Sequence, residues 1–170
     1  MPVTRMDCFA AILEYTKSGR HSSRAFESLI SLLQDRSPKL RTAAARTVGV
    51  YAQNGYKSEE ALRRLLPLLD ARDTAARIHA AVAVGELARW RCLDPSALPR
   101  LAGCLGSRDL LLVYHSLDTI EVNADNGVWD RATWFPLLRL ANDPEFGSWA
   151  LSVLSKCGFD QSFGNESRGT

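Results

Sequence analysis

The chain contains no run of about 18 apolar residues, so no stretch of it is suited to cross a membrane as a helix. Its four cysteines, Cys8, Cys92, Cys104 and Cys157, form no C-x-x-C pair, which leaves zinc-ribbon and dithiol redox chemistry without support. It has no glycine-rich phosphate loop, no G-x-S-x-G elbow and no H-E-x-x-H helix, the local signatures of phosphoryl transfer, serine hydrolysis and zinc proteolysis. Arg5, Asp7 and Glu14 interrupt the apolar core that a signal peptide needs, so an intracellular, cytoplasmic protein is expected. Net charge is slight at +2, yet unevenly spread: residues 1–100 carry a balance of +6 and residues 101–170 one of −4. Such polarity suits a surface that orients a partner.

What the chain does have is a repeat. Shifted against itself by 36 residues, it aligns Phe26 with Leu62 and Leu98, Leu29 with Leu65 and Leu101, and Leu33 with Leu69 and Leu105. In the second half of the unit the columns are Leu40/Ala76/Leu112, Ala44/Ala80/Ser116 and Val48/Val84/Ile120. Positions four apart lie on one helix face, whereas a strand would alternate by two. A period of this length built from two helices predicts an all-α solenoid of stacked hairpins, because one hairpin has too little core to stand alone. The punctuation keeps the same step. Ser37, Asp73 and Asp109, with Asp143 after a two-residue deletion, stand where the second helix should begin. Gly19, Gly55 and Gly127 stand where helices should end in a left-handed residue.

The run Leu32-Leu33-x-Asp35-x-Ser37-Pro38-x-x-Arg41, followed by Ala43-Ala44-Ala45 and Val48-Gly49, resembles the HEAT-repeat superfamily in the form shared with phycobilin-lyase-type repeats. Its next copy runs from Leu68-Leu69 through Arg77 and Ala80-Ala81 to Val84-Gly85-Glu86-Leu87. The resemblance implies a stacked series of hairpins whose second helices line a concave face. It also implies an Asp–Arg ladder between neighbours, which Asp35 and Arg41 fit. The Asp column continues as Ala71, Ser107 and Ala141, and the Arg column as Arg77, Val113 and Gly147, so the ladder should stop midway. The His-Glu pairs of HEAT-type hydroxylases are absent.

In chain order, residues 2–19 match 38–55 and read as the second helix of a half-repeat. Hairpins follow over 22–54, 58–91, 95–126 and 130–157, making about four repeats in a domain spanning 1–158, with a polar tail over 159–170 expected to be mobile. Pro67 and Pro136 should kink first helices. Phe9 and Leu13 replace Ala45 and Gly49, so the N-terminal end is expected to be covered by self-association or by upstream sequence. The cysteines should be buried free thiols, Cys104 in a leucine column and Cys8 in the Ala44 column.

With columns 40, 44 and 48 in the core, columns 42, 46, 49 and 53 point away from it. They hold Thr42, Ile78, Tyr114 and Ser148; Arg46, Val82, Asp118 and Ser152; Gly49, Gly85, Glu121 and Ser155; and Gln53, Arg89 and Asp125. Ile78, Val82 and Tyr114 form an apolar group facing water. Arg46 and Arg89 lie to one side of it, and Asp118, Glu121 and Asp125 to the other. That is the layout of a protein or peptide groove with an apolar anchor and a charged rim. His79, His115 and Trp149 share the adjoining column. A metal or general-base site there lacks a third ligand and a nucleophile, so no metal, cofactor or catalytic residue is assigned. Two other readings belong to other classes. Nucleic-acid binding, as in HEAT-like DNA glycosylases, needs a continuous basic track that the acidic group breaks. A lyase-like bilin enzyme would line its groove with Tyr114, His115 and Trp149.

Overall fold

The computed structural model describes residues 4–159, and every regular element among them is helical. Helix α1 (Arg5–Lys17) stands alone. It is followed by α2 (Ser23–Leu32) and α3 (Pro38–Gln53), α4 (Glu59–Leu65) and α5 (Thr74–Arg89), α6 (Ala97–Cys104) and α7 (Leu110–Asp125), and α8 (Trp134–Leu140) and α9 (Gly147–Lys156). Short 3-10 turns lie at Leu66–Asp70 and Arg131–Thr133. This is the expected α-solenoid: four hairpins behind a lone second helix. No helix among the described residues is long and apolar enough to cross a membrane.

The repeat columns form the core. Leu29, Leu65 and Leu101 are fully buried, as are Ala44, Ala80 and Ser116, and Val48, Val84 and Ile120 are buried with them. A buried leucine contributes roughly 1.5–3 kcal/mol over an exposed one, so this ladder is the main source of cohesion between hairpins. Three cysteines, Cys92, Cys104 and Cys157, are buried as expected, and burial pushes their thiols above the ordinary value. Cys8 is exposed instead. Its column is a core column only where a first helix packs beneath it, and α1 has no such partner among the described residues.

The helix ends follow the sequence signals with local changes. Asp73 accepts a hydrogen bond from the Ala75 N–H and Asp109 from that of Leu112. Ser37 occupies the cap with Pro38 behind it, but its hydroxyl makes no cap bond. The Asp35 carboxylate accepts the Ser37 N–H at 2.8 Å. Asp143 accepts from Glu145 and Phe146, and a further turn passes before α9 begins. Gly19, Gly55 and Gly127 all have positive φ, as does Arg91 in the same column. Pro67 does break its helix: α4 tightens into the 3-10 turn at Leu66. Pro136 does not, because it lies in the first turn of α8, where no backbone donor is required. Phe159 packs edge-on to Trp134 at 5.3 Å, while the rest of the expected tail, 160–170, lies outside the described residues.

The Asp–Arg ladder is a single rung. Arg5, the counterpart of Arg41 one repeat earlier, donates to Asp35 at 2.8 Å. The Ser37 N–H first and Arg5 second hold the Asp35 carboxyl below the ordinary carboxylate range. Arg41 finds no aspartate in the next repeat and donates to the carbonyls of Asp35 and Arg36.

The second helices α3, α5 and α7 pack on one another far more extensively than the first helices do. Small residues allow this. A Cβ added to Gly49 would sit 3.6 Å from the Ala83 Cα, and one added to Gly85 only 2.6 Å from the Thr119 hydroxyl. Side chains also stitch these seams: Thr119 donates to the Ala81 carbonyl at 3.0 Å and Trp90 to that of Ala52 at 2.7 Å. The second helices line one side of the stack, the inner face of the hairpins.

Candidate functional site

Each of the sequence-nominated residues lies on α3, α5, α7 or α9. Tyr114, on α7, is 46% exposed, the exposed large hydrophobic side chain of the group. Ile78 and Val82, on α5, are half-buried, and so are His79, His115 and Trp149 in the adjoining column. The Tyr114 ring stands edge-on to His115 and to Trp149, each at 5.2 Å between centroids. The Trp149 indole donates to Glu121 at 2.7 Å, which fixes the ring against α7. The result is an aromatic ridge across the seam between α7 and α9.

The charges are arranged differently from the sequence reading. Arg89 was expected across the apolar group from the acids, but its guanidinium donates to Asp118 at 2.7 Å. The two residues come from neighbouring repeats, and the helix packing that joins them is invisible when each column is read by itself. Glu121 and Asp125 are likewise paired, both to Lys156, at 2.7 and 2.8 Å. The hydrogen bonds that Lys156 donates to Asp125 and then to Glu121 raise its ammonium above the ordinary value. Sequence reasoning missed Lys156. The available signal was the crowd of acids on α7, which calls for a cation on the next helix. Arg46 forms no ion pair among the described residues. Column 49 also needs correction: Gly49 and Gly85 are buried in the seams and only Glu121 and Ser155 of that column reach the face.

His79 and His115 are both held below the ordinary imidazole value, chiefly by burial. Arg46 and His115 add to the effect at His79 and Asp73 opposes it; Asp118 and Glu86 oppose it at His115. Both rings are therefore neutral near pH 7. No group of three or more His, Cys, Asp or Glu suited to a metal ion occurs among the described residues.

The N-terminal end departs from expectation too. Phe9 is only 7% exposed and belongs to the core, and Leu13 is half-buried against it. The expected reason for self-association through the half-repeat, a greasy outer side at these two residues, is thus largely removed within the chain itself.

A family model described as HEAT repeats matches residues 22–116, from the start of the first hairpin into α7. No match was found among curated proteins.

Proposed function

The chain belongs to the HEAT-repeat family, and on that premise we propose that it is a non-enzymatic interaction module, cytoplasmic in location, that binds a partner protein or peptide on the face formed by α3, α5, α7 and α9. The observation that carries this reading is the exposed Tyr114 ridge, held against α7 by Trp149 and Glu121 across the last of the second-helix seams. Rigid aromatic side chains make effective interface anchors because they bury a large area and lose little rotamer freedom on binding. The paired charges around the ridge supply a rim that is already ordered. Protein is favoured over nucleic acid because Asp118, Glu121 and Asp125 interrupt the cationic track that phosphates require.

The test is site-specific photocrosslinking in the source cell. A photoreactive phenylalanine placed at Tyr114 should capture a discrete partner that the same probe at Glu27, an exposed residue of α2, does not. Capture from Glu27 but not from Tyr114 would place the working surface on the first-helix layer and overturn the proposal.

A further inference from the structure

The seams between second helices are not alike. Gly49 opens the way for α5 to close on α3, and Gly85 does the same for α7 on α5. The counterpart on α1 is Leu13, and Phe9 stands where the next copy has Ala45. Side chains of this size hold α1 off α3, and the two helices do not share the close backbone approach of the other seams. A groove of about 480 Å³ results. Its apolar lining includes Leu13 and Ala43 over Phe9, and its charged and titratable lining is Lys39, Arg46, Asp73 and His79.

The charges at this groove differ from those elsewhere on the inner face. Arg89 and Lys156 are committed to acids of the same chain. Lys39 and Arg46 are exposed and form no ion pair among the described residues. Asp73, a carboxylate at the groove edge, caps α5 by accepting the Ala75 N–H, and it leaves the lining one positive charge in excess beside the neutral His79. An apolar slot beside two free cations is complementary to an apolar side chain next to a carboxylate.

We propose that the groove between α1 and α3 binds an acidic, apolar peptide segment of the partner, seating an apolar side chain on Leu13 and Ala43, with Phe9 beneath them, and its carboxylate on Arg46 and Lys39. The proposal rests on the interaction-module reading and names the partner's chemistry. Nucleic acid fits less well, because two cations beside an aspartate make no continuous phosphate track.

Fluorescence anisotropy provides the test, with a fluorescein-labelled peptide alternating glutamate and leucine. A lysine–leucine peptide and a single-stranded oligothymidine serve as competitors. The acidic peptide should bind and neither competitor should displace it. Arg46→Glu and Lys39→Glu, both at exposed and unpaired positions, should each weaken binding by about tenfold or more. Arg108→Glu, the same charge change on a distant loop, should alter it by less than about twofold. The groove assignment is overturned if the acidic peptide does not bind, if Arg46→Glu and Lys39→Glu both bind it as the parent does, or if the oligonucleotide displaces it. The Tyr114 crosslink, read in parallel on Arg46→Glu, separates the two levels. Partner capture at Tyr114 without peptide binding at the groove sinks the groove and leaves the broader reading intact.

Discussion

Arg91 holds a left-handed backbone at φ 59° where the other copies of its column have Gly19, Gly55 and Gly127. A side chain there crowds the following carbonyl, at a cost of about 1 kcal/mol. Arg91→Gly should therefore raise stability in urea unfolding by roughly 0.5–1 kcal/mol; a loss would mean that the arginine makes a compensating contact. Histidine protonation is a second test at this scale. His79 and His115 have depressed folded values relative to 6.5, so the unfolded chain binds more protons as pH falls below that point. Their contribution is fully present above 6.5 and is lost on acidification. Asp7, Asp35 and Glu60 are also held low, but they release their contribution only below the carboxylate range of 3.8 to 4.5. The urea midpoint should thus fall between about pH 7.5 and 5.5, and His79→Asn with His115→Asn should flatten the profile. A midpoint that rises on acidification would contradict the assignment. The glycine column was legible in the sequence because glycine advertises its conformation; Arg91 was not, because its backbone is imposed by the turn on either side.

Gly49 and Gly85 occupy the same place in successive second helices, yet their substitution should have opposite signs. Alanine is favoured over glycine inside a helix by roughly 0.5–1 kcal/mol. At Gly49 the new methyl would meet Ala83 and Val82 at 3.6–3.7 Å, ordinary contact, so Gly49→Ala should be neutral or stabilising. At Gly85 it would meet the Thr119 hydroxyl at 2.6 Å and force that buried side chain off the Ala81 carbonyl. Gly85→Ala should cost about 1–3 kcal/mol. Urea unfolding of both variants decides the matter, and effects of the same sign would mean that the seams are set some other way. The helices themselves were readable from the 36-residue columns, since burial repeats with the step. The glycines were misread as surface because a missing side chain looks the same on an open face and at a close approach. Pro136 was misread because its distance from the helix start depends on where the preceding 3-10 turn gives way.

At the scale of the molecule, the second-helix face carries an aromatic ridge across α7 and α9 toward one end and a cationic, apolar groove between α1 and α3 toward the other. The solenoid and its period were legible in the sequence, and the residues of the ridge were found by helical phase. The pairing of Arg89 with Asp118, and of Lys156 with Glu121 and Asp125, was not, because charge partners depend on packing between repeats and not on phase within one. The central claim is that the inner face is the binding surface, with Tyr114 as its anchor. It is tested most directly by measuring, for the parent and for Tyr114→Ala side by side, affinity for the crosslinked partner by titration calorimetry and the thermal midpoint. The account predicts that affinity falls by more than about 1 kcal/mol while the midpoint barely moves, as for other exposed substitutions. An unchanged affinity, or a loss of several kcal/mol in stability of the kind that follows truncation of a core side chain, would contradict it.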